Sequence, residues 1–89
     1  MKPAKKSSPI NVSPEKAFWF CDGQVAKNLK ECAVILEKID QQVFSHHVNA
    51  SKNDFSRWLE GVFGKKTLAK QIEKIKNAKL IAQKIKAQL

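Results

Sequence analysis

Apolar positions recur with helical spacing through most of this chain, and only the stretch before residue 28 departs from that rhythm. Leu29, Cys32, Ala33, Leu36 and Ile39 fall at i, i+3, i+4, i+7 and i+10, the spacing of one buried helix face. Asn28 and Glu31 stand where a capping box needs them, the first accepting from the amide three residues on and the second reaching back. Asp40 ends this helix or caps the next segment, and Val43, Phe44, His47 and Val48 share a face of a short helix over 41–48. Residues 49–52 read as a polar linker. Asn53 then caps a helix whose buried stripe is Phe55, Trp58, Leu59 and Val62, with Asp54 favourable at its positive end and Gly64 as its stop.

The segment from Lys66 to Leu89 contains neither Gly nor Pro, which predicts a single helix of roughly 36 Å at 1.5 Å per residue. Its seam is Leu68, Ile72, Ile75, Ala78, Ala82, Ile85 and Leu89, with a mean spacing near 3.5 that keeps one stripe facing one partner. The rest of the chain should span only about 25–30 Å by size scaling, so the helix is expected to overhang its body. Leu80 and Ile81 flank the distal half, and a second copy of the same helix is the simplest cover for it.

Near the start, Phe18-Trp19-Phe20 and Val25-Ala26 flank Asp22-Gly23, a hairpin signal because a type I′ turn needs positive φ at both central residues. Ser13-Pro14-Glu15 carries the competing signal, N-cap and first-turn chemistry for a short helix ending at Gly23. The hairpin is the favoured reading, and it turns Phe18 and Phe20 inward and Trp19 outward. The expectation is a mainly α fold: a domain of three to four helices, opening with a short hairpin and ending in a long basic helix. Residues 1–13 form a flexible basic tail, 14–64 the compact body, and 65–89 the terminal helix.

Charge sharpens this picture. The net charge is +9, and it is unevenly placed. Residues 18–64 sum to −1, whereas 65–89 carry eight lysines against Glu73 alone. On a helical wheel Lys65, Lys66, Lys70, Lys74, Lys76 and Lys84 lie opposite the seam, with Lys79 and Lys86 at its edge. A near-neutral body with basic extensions points to a polyanion. Lys2, Lys5 and Lys6 in the tail would add to the ladder.

Lysines act as point charges and a lone Arg57 leaves no bidentate base reader in the tail, so nucleic-acid binding would be sequence-independent. A chromosome- or ribosome-associated protein fits, with DNA or RNA as the partner. The alternative is an interaction module that dimerises, or docks on a larger complex, through the seam. The outward Trp19 is a further interface candidate.

Between Phe18 and Ile72 the residues Phe18-Trp19-Phe20, Gly23, Leu29-Lys30-Glu31, His47, Asn53-Asp54-Phe55-Ser56-Arg57-Trp58 and Phe63-Gly64 through Leu68-Ala69 form a recognisable pattern. It resembles that of a functionally uncharacterised family of small archaeal and bacterial domains. The resemblance implies a compact, mostly helical fold and no particular activity. Lys65 stands where that pattern often has an acidic residue, which makes this copy more basic.

His46, His47, Asp54 and the cysteines are the one cluster with chemical potential. Adjacent helical histidines diverge by about 100°, so His47 is expected to be structural, bonding Asn53 or Asp54 across the linker. Cys32 lies on an apolar face, where a thiol is inert. No phosphate loop, nucleophile elbow or spaced carboxylate pair is present. Neither an enzyme, a metal site nor a cofactor is expected. Without a signal-like apolar segment or a run long enough to span a bilayer, the expected setting is cytoplasmic, with reduced thiols and no membrane partner.

Overall fold

The computed structural model describes residues 11–89. Lys2, Lys5 and Lys6 lie outside the described residues. A single 3-10 turn, Pro14–Lys16, precedes strands β1 (Phe18–Trp19) and β2 (Val25–Ala26). Helices α1 (Leu29–Lys38) and α2 (Gln41–His47) follow, then strands β3 (Val48–Asn49) and β4 (Lys52–Asn53). Helices α3 (Asp54–Phe63), α4 (Lys66–Ile72) and α5 (Ala78–Lys86) complete a mainly α domain.

The predicted local signals are realised with a few changes. β1 and β2 pair antiparallel, Phe18 opposite Ala26 and Trp19 opposite Val25. The competing Ser13-Pro14-Glu15 signal yields only the 3-10 turn, with no side-chain cap from Ser13, and the helix to Gly23 that it suggested gives way to the hairpin. The connection is a three-residue loop closed by the Phe20 N–H on Gln24 O at 2.8 Å and the Gly23 N–H on Phe20 O at 3.0 Å. Gly23 alone has positive φ (+97°), so the turn is not type I′, which would put Asp22 there as well. Asn28 Oδ1 accepts from the Glu31 amide at 2.8 Å, and Glu31 Oε1 accepts from the Lys27 amide at 2.8 Å.

Three expectations need correction. The tail does not run to residue 13. The Val12 N–H donates to Lys27 O at 2.8 Å, and Asn11 Oδ1 accepts from Asn28 Nδ2 at 2.6 Å. The polar linker at 49–52 is the tip of a second hairpin, with Ala50 and Ser51 as its turn, Val48 opposite Asn53 and Asn49 opposite Lys52.

The terminal helix is two helices. It breaks across 73–77, where Asn53 Nδ2 donates to Ile72 O at 2.9 Å and to Glu73 O at 3.4 Å, satisfying carbonyls that a continuing helix would use. Asn77 adopts an extended backbone, and its side chain accepts from the Leu80 amide at 3.0 Å, starting α5. The break lets α5 fold back along α1 while α4 packs against α3. A straight helix would have left its distal apolar stripe in water, so folding back is favoured by burial.

The core joins these elements around Phe44, Phe55, Leu36, Leu59, Ile72, Ile81 and Ile85. Phe18 stacks on Phe55 with ring centroids 4.5 Å apart and meets Trp58 edge-on at 5.5 Å. Trp58 Nε1 donates to Lys16 O at 2.8 Å, giving its buried polar edge a partner. Of the expected interface seam, Leu68, Ile72, Ala82 and Ile85 are buried inside this domain and Ile75 and Ala78 are partly buried. Leu89 remains 42% exposed. The seam faces the chain's own body because the 73–77 break turns its distal half back onto α1.

Candidate nucleic-acid interface

Basic side chains converge on a groove of about 610 Å³ between the β3–β4 hairpin, the outer face of α3 and the α4–α5 turn. Its floor follows directly from the capping chemistry. Asn53, buried opposite Val48, accepts from the Ser56 amide at 3.0 Å and ties down the end of α4. Ser56 Oγ donates to Ala69 O at 2.9 Å, locking α3 to α4. A cap at the start of one helix thus fixes the position of the next.

The walls carry the charge. Lys52 comes from β4, Arg57 and Glu60 from the solvent face of α3, Lys70 from α4, Glu73 from its C-cap, and Lys74 and Lys76 from the turn. Arg57 and Glu60 are three residues apart and therefore neighbours on one helix face. Five cations line the groove against two carboxylates, and although Lys52 is also paired with Asp54 just outside the lining, the balance leaves a positive field.

The fold therefore gathers Lys70, Lys74 and Lys76 from the expected ladder and separates them from the rest. Lys65 and Lys66 lie at the start of α4, outside the groove lining. Lys84 lies on α5, and Lys86 on the same helix pairs with Glu37 of α1. Lys52 and Arg57 were not singled out from the sequence as contacts for a polyanion. Arg57 was legible as solvent-facing, since it falls off the Phe55–Trp58–Leu59 stripe. Lys52 carries no such signal, because the polar run 49–52 has the same pattern whether it is a linker or the end of a hairpin.

A second arrangement sits behind the hairpins. His47 is buried at the end of α2, ringed by Phe18, Phe20 and Phe55 at centroid distances of 5.1, 5.8 and 5.9 Å. Its Nε2 accepts from the Cys21 N–H at 3.1 Å, so the proton is on Nδ1, which donates to Asp54 Oδ2 at 3.0 Å. Lys52 Nζ donates to the same oxygen at 3.1 Å. Partial burial pushes the Asp54 carboxyl up, but the hydrogen bonds from His47 and Lys52 and the Lys52 charge outweigh it, holding the carboxyl below its ordinary value.

Both ring nitrogens of His47 are thus occupied, one by a backbone amide rather than by a nucleophile. His46 is exposed and makes only an edge contact with His47, ring centroids 5.0 Å apart. Burial pushes the Cys32 thiol up, which keeps it inert, while Cys21 is exposed and free. Among the described residues no three His, Cys, Asp or Glu side chains are grouped to hold a metal ion. Trp19 is 58% exposed, as the strand alternation predicted, with Nε1 donating to Pro14 O at 2.9 Å.

Mainly helical, with two small hairpins and a basic groove, the molecule is a small α domain with a candidate polyanion-binding face. The chain belongs to a family of unknown function (DUF5752), whose model matches residues 3–89. No curated protein and no solved structure matches it. Among the described residues, no helix is long and apolar enough to cross a membrane.

Proposed function

We propose that this protein binds nucleic acid through the phosphate backbone, with the groove between the β3–β4 hairpin, α3 and the α4–α5 turn as the contact. One observation carries the reading: Lys52, Arg57, Lys70, Lys74 and Lys76, drawn from four separate segments, line a single groove. The net charge of +9 supports it by favouring association with polyanions. Arg57 supplies a planar fork suited to a phosphate, and the lysines act as point charges. A cytoplasmic role on the chromosome or the ribosome is consistent with this chemistry. Docking of another chain on the 68–89 seam has no such support, since most of that seam is buried internally.

The test is a salt titration of a fluorescent 30-nucleotide probe, as duplex and as single strand, with the full chain. Four phosphate contacts give a log–log slope of about −3.6 on duplex DNA, roughly a hundredfold loss between 50 and 200 mM salt. The Arg57→Gln/Lys70→Gln/Lys74→Gln variant should bind weakly and flatten the slope by about three. An unchanged affinity and slope in that variant would remove the groove from the account.

A further inference from the structure

A groove built for phosphate alone has no use for carboxylates, yet Glu60 and Glu73 line this one beside the cations. The ion pairs among the described residues are His47–Asp54, Lys52–Asp54 and Lys86–Glu37, and neither groove carboxylate takes part in one. Both would repel a sugar–phosphate backbone laid over them. They become favourable opposite a group that donates hydrogen bonds, which in a nucleic acid means a base edge or, in RNA, the ribose 2′-hydroxyl, and of these two the base edge alone can offer two parallel donors.

The geometry of a carboxylate narrows the choice of base. Its two oxygens accept best from two parallel N–H donors, as they do from an arginine fork. Guanine presents such a pair, N1–H beside the N2 amino group. Cytosine and adenine each place their amino group next to a ring-nitrogen acceptor. Uracil and thymine set one N–H between two carbonyl oxygens. All of these edges are occupied in a duplex and become accessible in an unpaired strand.

The groove has room for a short single-stranded segment. Its 610 Å³ falls in the roughly 300–1,000 Å³ range of sites that enclose small ligands, the scale of a nucleotide or two. Asn49, Ala50, Ser51, Ala69 and their neighbours in the lining include no aromatic ring. General stacking of bases is therefore not what this groove offers, and hydrogen bonding is left to discriminate.

We infer that the groove selects an unpaired guanine within a single-stranded segment. The flanking phosphates lie on Arg57, Lys70 and Lys74, and the N1–H and N2–H edge of the base lies on the carboxylate of Glu60 or Glu73. Arg57 and Glu60, one helical turn apart on α3, place a phosphate fork and a base acceptor side by side. This selectivity rests on the nucleic-acid reading above and adds a base preference to it.

The experiment measures fluorescence anisotropy of the full chain with a labelled ten-thymidine oligonucleotide. In parallel versions the two central thymidines are replaced by guanosine, inosine or cytidine. The guanosine version should bind about tenfold more tightly than the all-thymidine strand, as one good bidentate contact allows. Inosine, which lacks the N2 amine, should lose most of that gain. Glu60→Gln/Glu73→Gln should erase the preference while binding the all-thymidine strand at least as tightly as the parent, because two repelling charges are gone. The single variants then assign the contact to one carboxylate.

Equal affinity for guanosine and thymidine strands, or a preference that survives in the double variant, overturns the inference. Binding of duplex without binding of any single strand overturns it too, and leaves phosphate-backbone recognition standing. Failure of every probe, single or double, overturns both.

Discussion

Asp54 shows how one side chain couples three segments. It accepts from His47 Nδ1 and Lys52 Nζ on one oxygen, and His47 in turn holds the Cys21 amide. A carboxyl whose pKa is lowered by folding contributes stability above its unfolded value of about 3.9, and that contribution is lost as pH falls through the lower folded value. Thermal stability should therefore decline as pH drops below about 4, and Asp54→Asn should make that decline shallower. Asp22, held down by the Gln24 amide and side chain, and Glu15, held down by the Ser13 side chain, should keep part of the acid dependence in the variant. Melting curves from pH 2.5 to 6 decide this; an identical acid limb in Asp54→Asn would exclude the coupling. His47 was readable as structural because it shares a face with Phe44. That its second nitrogen would meet the Cys21 amide was not readable, since 26 residues of chain separate them.

At the scale of elements, three asparagines start three helices: Asn28, Asn53 and Asn77 each accept from the amide three residues on. They are not equivalent. Asn77→Ala removes one exposed cap and should destabilise the protein by about 1 kcal/mol, a drop of about 4–8 °C in Tm for a domain this small. Asn53→Ala removes a cap, leaves the Ile72 carbonyl without its partner and frees the end of α4. It should cost more, about 2–3 kcal/mol. Circular-dichroism melts of the two variants compare them directly, and equal losses would mean that the α4 carbonyls find water instead. The first two caps were legible because each opens an amphipathic run. Asn77 gives no such signal because an unbroken aliphatic spacing of about 3.5 crosses it, and that spacing is the same whether a helix continues or folds back on itself.

Across the whole molecule, the apolar stripe of the C-terminal segment is core. Ile81 and Ile85 are fully buried where α5 lies along α1, while Leu89 stays partly in solvent. Ile85→Ala should cost about 2–5 kcal/mol, enough to unfold a large fraction of a marginally stable domain. Leu89→Ser should change stability by no more than about 0.5 kcal/mol. Urea titrations followed by tryptophan fluorescence measure both. A tolerant Ile85 would contradict the packing of α5 on α1, and a costly Leu89 would point to cover that the single chain does not provide.

Features that act over a few residues are complete in the local sequence: the amphipathic faces of α1 and α3, the caps at Asn28 and Asn53, the left-handed stop at Gly64 with φ +66°, and the outward turn of Trp19. Caps, turns and periodicity are short-range, so neighbouring residues encode them completely. The break at 73–77 depends on long-range packing, because the carbonyls that end α4 are satisfied by Asn53, 19 residues away from Ile72. Such packing also decides which lysines stand together. Charge is not directional along a chain, so a run of lysines reads as one ladder until packing distributes it. The same packing brings Lys52 and Arg57 to the groove and sends Lys84 and Lys86 to another helix.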